Sequence, residues 1–444
     1  MSNNSFITAE TKSKEGGNPG NIEIKVKDKI EITDFDSGIR TQIRNKDSGD
    51  KQTLEEEGAA NITITARSLS LKDGGRLEAF TQGKIKAGDI TVDAEDFVEI
   101  YGIGEKKERK EIKTEESGIF TGTRNEAEAE GGLIQITTPS LRLSDGAVLN
   151  AQSTSDFRGG DIKLDSDTLT VNNSEISAST ETGTAGNVEV NAKDSVLLTG
   201  TLPDKSKSPA GIFTQATEGG TAKNVTIETD ELTVENGARI AVSGVPLTEQ
   251  GFPETEVDEN GEVDESNLGE AGKLTIKADD SLTLDNGQLV AATGKNPTNN
   301  EEAATIEINV PGVIILDNNS LILADATGDE VIGGNITIEG GVLVALPLNN
   351  DDKGSDIFAN AEDGDGGRID ITLQGLFNIN VINDPSAFFD SSETLDRSLV
   401  FGNNSSEIAA LSLSGGEAGT VTRDITNSAQ DPEILPTSLV DRRP

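Results

Sequence analysis

The side chains best equipped for chemistry in this sequence are carboxylates. Asp279-Asp280, Glu301-Glu302 and Asp351-Asp352 are dense acidic pairs. Two acids flanking a cleft are the machinery of glycoside hydrolysis, provided they stand roughly 5–10 Å apart and one is held protonated. Adjacent acids in corners and loops stay solvated and charged, so these pairs read as surface groups. A lyase acting on uronates would also need a strong base and a cationic clamp, and no Arg/Lys cluster is placed for one. Two stretches invite a metal ion instead. Asp258-Glu259-Asn260-Gly261-Glu262-Val263-Asp264 and Asp363-Gly364-Asp365-Gly366 set carboxylates around glycines. Neither has the spacing of an EF-hand loop. Weak, non-specific Ca²⁺ attraction is expected, with no saturable site. No catalytic, cofactor-binding or metal-ligating residue is assigned, and the chain is expected not to be an enzyme.

The residue types that are missing exclude more. The 444 residues contain no His, no Cys and no Trp. There is therefore no imidazole acid/base, no thiol nucleophile, no zinc knuckle and no disulfide. With 79 acidic against 37 basic side chains, the net charge is −42. That repels phosphate, so no nucleic acid partner is expected. No apolar run approaches the ~20 residues of a membrane-spanning helix, so no membrane insertion is expected. The start, MSNNSFITAE, lacks the basic and apolar regions of a signal peptide.

The elements that would have to position any site repeat along the chain. Alternating apolar/polar segments begin at Ile22, Ile62, Ile90, Ile134, Ile162, Val188, Val225, Leu274, Ile306, Ile336, Ile369 and Val421. A second alternating segment follows each, as in Leu69-Ser70-Leu71 and Leu169-Thr170-Val171. Then comes an Asp/Asn corner: Asp73-Gly74, Asp145-Gly146, Asn172-Asn173, Asn236-Gly237, Asn286-Gly287, Asn318-Asn319. A third segment of the form Ile176-Ser177-Ala178 closes the unit. Ile162 and Val188 are 26 residues apart, and Ile62 and Ile90 are 28 apart.

Period-two alternation puts one face in and one face out. One unit cannot bury its apolar face alone, but stacked units can. The prediction is an all-β fold: a right-handed single-stranded parallel β-helix, or β-solenoid, of about twelve coils of ~27 residues with insertion loops. Each coil is expected to hold three strands, with Asn side chains such as Asn172 and Asn173 laddering between corners. Ile162, Leu164, Leu169, Val171 and Ile176 should face inward, and Lys163 outward. Ile176→Asp should cost on the order of 3 kcal/mol or more, and Lys163→Glu less than ~0.5 kcal/mol.

Insertions interrupt the period at 44–57, 102–117, 200–209, 244–269, 294–302, 348–355 and 383–404. In a solenoid such loops project from an edge and carry binding specificity. Asn4-Ser5-Phe6-Ile7-Thr8-Ala9 aligns with Asn173-Ser174-Glu175-Ile176-Ser177-Ala178, so the chain is expected to enter mid-coil, with its N-terminal end the weakest part of the stack. Residues 1–423 read as the repeat domain and 424–444 as a capping tail.

Units such as Ala185-Gly186-Asn187-Val188-Glu189-Val190-Asn191-Ala192, with the ending Leu435-Pro436-Thr437-Ser438-Leu439-Val440-Asp441, resemble a known family. It is the C-terminal region of the cyanobacterial filamentous-haemagglutinin-like exoproteins. These belong to the two-partner secretion class and are often labelled S-layer-like. The resemblance implies a structural or adhesive protein, secreted or on the cell surface, exported through an outer-membrane transporter partner. It would bind glycans or surface proteins through projecting loops, as a monomer. The family's signal peptide and N-terminal secretion domain are not matched, so the chain reads as part of a larger exoprotein. The alternatives are a β-helical carbohydrate-active enzyme or a nonfunctional adhesin fragment.

Overall fold

A computed structural model of the chain describes residues 1–2, 4–11, 19–44, 60–108, 111–124, 127–154, 156–203, 207–254, 265–296, 304–346, 353–382, 403–414 and 416–426. The described structure is all-β, with one short 3₁₀ turn at Glu265–Asn267. Two long parallel sheets, of 13 and 14 strands, run the length of the molecule, as expected of a β-solenoid.

The repeat read in the sequence is the register of these sheets. Ile22, Ile62, Ile90, Ile134, Ile162, Val188, Val225, Leu274, Ile306, Ile336, Ile369 and Val421 stand opposite one another in consecutive parallel strands. The second sheet has its own row, from Ile7 and Ile39 through Leu77, Ile119, Leu149 and Ile176 to Ile357 and Ile408. The two rows meet in one continuous core. Each fully buried Ile, Leu or Val there contributes roughly 1.5–3 kcal/mol relative to exposure. Ile162, Leu164, Leu169, Val171 and Ile176 are all buried, and Lys163 is not.

One expectation is corrected. The first two alternating segments of a unit are not separate strands joined by a corner. They form single strands of 10 to 13 residues in the regular units, such as Ile162–Asn172 and Val188–Thr199. The buried positions are even-numbered at Ile162 and Leu164 and odd-numbered at Leu169 and Val171. Ladder registers slip at that point, between Ser166 and Thr168 and between Ala192 and Ser195. An irregularity bends the strand and switches which parity faces in, without breaking the ladder. We call this the long-strand sheet and the other the short-strand sheet.

The predicted corners are where the backbone turns. Asp73, Asp145, Asn173, Asn236, Asn286, Asn318 and Asn319 all have positive φ, which Asn and Asp tolerate better than other side chains. The ladders between coils run from side chain to backbone. At the entries to the long strands, Asn61 N–H donates to Asn21 Oδ1 (2.9 Å), Asp89 N–H to Asn61 Oδ1 (2.9 Å) and Leu133 N–H to Asp89 Oδ1 (2.8 Å). Serines do the same at the corners: Gly287 to Ser320 (3.2 Å), Ser320 to Ser355 (3.1 Å), Ser355 to Ser406 (2.9 Å). Asn173 joins in, accepting from Thr201 N–H at 3.2 Å. These small polar groups satisfy turn amides that the strands leave unpaired.

The strand Thr420–Ile425 extends the long-strand sheet across the position where the tail was expected to begin. Residues 427–444, the rest of that tail, lie outside the described residues.

Candidate functional site

Among the described residues, the outer face of the short-strand sheet carries a second apolar cluster and a set of arginines stacked on phenyl rings. Its outward side chains flank the buried row, one residue before and one after each Ile or Leu. The face divides into two halves of opposite chemistry.

In the C-terminal half the outward row is apolar. Phe213, Ala241, Val290, Leu323, Phe358 and Ala409 stand in register on successive strands. They form a second hydrophobic cluster outside the solenoid core, packed with Val245, Leu247, Phe252 and Leu268 from the 244–269 insertion. That insertion does not simply project. Its described residues, 244–254 and 265–269, pack back on the sheet. Arg239 pins it there. This guanidinium, 3% exposed, donates to Thr248 O (2.9 Å), Glu249 O (2.7 Å) and Gln288 Oε1 (2.7 Å). All three acceptors are neutral, and burial pushes the Arg239 pKa down to about 10. A Cβ on Gly251, whose φ is +92°, would meet Gln288 Oε1 at 2.9 Å, so the turn passes close over the sheet.

Beside this cover runs an open groove of about 450 Å³ along the Asn/Gly corners. Lys207, Phe252, Glu249, Gln288, Lys353 and Asp356 line it. Asp356 and Glu407 lie side by side on adjacent strands, 4% and 3% exposed. Burial and the neighbouring Glu407 charge push the Asp356 carboxyl up to about 9, against the pull of the Glu407 N–H donated to its Oδ1 (3.0 Å). The Asp356 carboxyl therefore keeps its proton at neutral pH. Asn403 Nδ2 donates to both Glu407 carboxylate oxygens at 3.3 Å, and Ser405 Oγ donates to Oε1. The pair's oxygens are thus occupied by each other and by the chain. A groove with lysines, an amide, a carboxylate and one phenyl ring suits a neutral, hydroxyl-rich ligand.

In the N-terminal half the outward row is charged and aromatic. Glu78, 1% exposed, is hydrogen-bonded by Arg40 and lies 3.5 Å from Arg76 and 3.8 Å from Arg124. The 102–117 insertion is an antiparallel hairpin, Ile103–Glu108 with Glu111–Glu116. It delivers Glu115 and Glu116 to Arg76 at 2.9 and 3.0 Å. Arg44 pairs with Glu10. The guanidiniums also stack on rings: Arg40 on Phe6 (4.2 Å), Arg76 on Phe120 (4.7 Å), Arg124 on Phe80 (3.5 Å). The rings lie over glycines. A Cβ on Gly38 would meet the Phe6 ring at 3.1 Å, and one on Gly118 the Phe120 ring at 2.7 Å.

No Arg/Lys cluster was expected as a clamp for a uronate lyase, and the stacked strands bring together arginines that the sequence keeps apart. Arg40, Arg76 and Arg124 are tens of residues apart in sequence and meet only because the strands stack. The signal was present in the repeat, since Arg40 and Arg76 each neighbour the inward Ile39 or Leu77.

The acids singled out in the sequence are elsewhere. Asp279 and Asp280 are exposed, at the bend of the strand Lys273–Asp285. Asp363 Oδ1 accepts from Ser414 Oγ (2.9 Å) and Asp365 Oδ1 from Glu417 N–H (2.8 Å), so the first ties to a side chain and the second to the backbone of the next coil. Glu301, Glu302, Asp351, Asp352 and residues 258–264 lie outside the described residues. Among the described residues, no three acids converge as a metal site, and no helix is long and apolar enough to cross a membrane. No protein-family model, no curated protein and no solved structure matches this chain.

Proposed function

We propose that this chain is a structural, adhesive β-solenoid, right-handed and built of about twelve coils of roughly 27 residues. It acts outside the cell or on its surface, as part of a larger two-partner-secreted exoprotein. It binds glycans along its side rather than transforming them. The observation that carries this reading is the groove of about 450 Å³ walled by the Arg239-pinned insertion. It runs past the corners of successive coils at Thr201, Gly237, Asn286 and Asn319, and the Asp356 carboxyl that lines it is engaged by Glu407. The open face of a rigid rod is suited to holding an extended polymer. The acid pair is the one feature in favour of a carbohydrate-active enzyme. Its oxygens are too buried and too engaged to stand on opposite sides of a glycosidic bond.

The test is a glycan array probed with the purified chain, followed by incubation with the polysaccharides that bind. Retention without release of reducing ends or unsaturated sugars is expected, weakened in Phe252→Ala and Lys353→Ala. Accumulation of cleaved products would turn the assignment to the enzyme. No retained glycan at all would leave a scaffold without this binding role.

A further inference from the structure

The two ends of the stack are not alike. We propose that the N-terminal end accepts a further parallel β-coil with Ile, Val or Leu at alternate positions, and that the C-terminal end is built to refuse one. The rod can then be extended in one direction only, and copies of the chain do not string together head to tail. This is independent of the groove and of what the groove binds.

The refusal rests first on one residue. Thr420–Ile425 is the last described strand of the long-strand sheet and pairs with Arg368–Phe377. Val421, Arg423 and Ile425 stand opposite Ile369, Ile371 and Leu373, all three of which are buried. Arg423 therefore occupies the inward row. In every other described coil that position is Ile, Val or Leu, from Ile24 and Ile64 to Ile338 and Ile371. Arg423 is exposed, with no described coil beyond it. A coil stacked there would enclose a guanidinium in an apolar core, a burial that only a partnered charge tolerates. The short-strand sheet is closed at the same end by another device. Asn380–Val381 precedes Glu407–Ala409 in the chain, yet lies beyond it in the sheet as the terminal strand. Asn380 N–H donates to Ser406 O (2.8 Å) and Ile382 N–H to Ile408 O (3.0 Å). An inward-pointing charge and a two-residue edge strand are both ways of blunting a sheet edge.

The N-terminal end has neither device. Its edge strands are Phe6–Thr11 in the short-strand sheet, and Ile22–Lys25 and Lys29–Thr33 in the long-strand sheet. Their inward row carries no charge: Ile7, Ala9, Ile22, Ile24, Ile30 and Ile32 continue the rows of the coil below. Ile7 is 42% exposed, and Ile22, Ile24 and Ile30 are only partly buried. Met1 shares the edge of Lys29–Thr33, accepting from Thr33 N–H (2.9 Å) and donating to Glu31 O (2.6 Å). Phe6–Thr11 and Ile22–Lys25 each have a strand on one side only among the described residues. Main-chain pairing at such an edge gives affinity, and the alternate side chains give the choice of partner. A parallel coil seated here continues both ladders in the register that joins every coil to the next. Its own Ile or Val would close over Ile24 as Ile64 does from the other side.

Analytical ultracentrifugation of the full chain tests both ends. The native chain should give one species whose mass does not climb with protein concentration. Arg423→Ile completes the apolar row of the last strand and gives the N-terminal end of a second copy a coil it can accept. That variant should form a series of head-to-tail oligomers that lengthens with concentration, as a heterologous contact that does not close must. Arg423→Lys keeps a charge on the row and should behave like the native chain. Adding either Ile24→Arg or Ile7→Arg to Arg423→Ile charges the accepting end and should restore the native pattern. Ile7 is the more exposed of the two, so its replacement disturbs folding least, and thermal melts of each variant check that the stack is intact. A native chain that associates as strongly as Arg423→Ile, or an Arg423→Ile chain that does not associate, would overturn the closed end. Association that persists in both double variants would overturn the accepting one.

Discussion

The two halves of the short-strand sheet's outer face solve one problem in opposite ways. Both present a flat parallel sheet whose inner side is packed by the same Ile/Leu row. In the C-terminal half the outer side is also apolar, and Val245, Leu247, Phe252 and Leu268 of the insertion pack on it. In the N-terminal half, phenyl rings fill the space above glycines, arginines lie on the rings, and a buried glutamate ties the arginines together. The first solution is a second core and the second a polar network. A second core is stabilised by area removed from water and is indifferent to salt. A polar network depends on each partner being present and weakens with ionic strength.

That difference is sharpest under substitution. Phe358 is the largest fully buried outward side chain of the C-terminal half. Phe358→Ala should destabilise by about 3–5 kcal/mol in denaturant melts, equally at low and high salt. A loss below ~1 kcal/mol would mean the cover is not packed, and the contrast would collapse. Glu78→Gln keeps the shape but removes the charge beneath three guanidiniums. About 2 kcal/mol should be lost at low salt, less than for a fully buried pair because the arginines reach solvent. Most of that should return near 1 M salt, where the screening length is ~3 Å. A salt-independent loss would mean Glu78 acts by packing alone.

A pH titration separates the halves again. The Asp356 carboxyl is raised from 3.8 to about 9 in the folded chain. Between those values the folded state holds a proton that the unfolded state has released. Its contribution to stability is fully present below about pH 4 and is lost as pH rises toward 9. Glu407 is the charge that opposes ionisation, and Lys353 lines the same groove. Asp356→Asn should remove this downward slope and be relatively stabilising at high pH. A native chain whose stability rises from pH 5 to pH 9 would contradict the raised Asp356 carboxyl.

Much of this was readable in the sequence because a solenoid writes its register as a period. Every apolar anchor from Ile62 to Val421 could be placed from spacing and alternation, and Asn236-Gly237 or Asn318-Asn319 from what positive φ demands. The bend inside the long strands was not readable as such. A corner and a parity switch look alike in a sequence, since both put two polar residues between apolar runs. The outer surfaces were least legible. Whether Val290 faces a core or water depends on an insertion that lies outside its own strand. The meeting of Arg40, Arg76 and Arg124 follows from stacking and not from proximity in the chain. Acid pairs such as Asp279-Asp280 drew attention because they are adjacent, but they sit at the strand's bend, where the parity switch leaves both exposed to water and neither in a cleft.

The outer face of the long-strand sheet should show neither behaviour, and the smallest expected effect tests that. Lys163 stands in a row with Gln135, Glu189 and Thr226. Its Nζ is 3.3 Å from Glu189 Oε1, with the two side chains 38% and 48% exposed. A neutral outward position would change by less than ~0.5 kcal/mol. Lys163→Glu instead removes an exposed ion pair and sets two like charges opposite each other on neighbouring strands. The cost should be about 0.5–1 kcal/mol at low salt, falling toward zero as salt is raised. Lys163→Thr, which removes the pair without adding repulsion and keeps a good strand former, should cost less than the Glu variant. If Lys163→Glu instead cost more than ~2 kcal/mol and kept that cost in high salt, the long-strand face would also be covered. The division between a bare sheet and two differently protected halves of its neighbour would then fail.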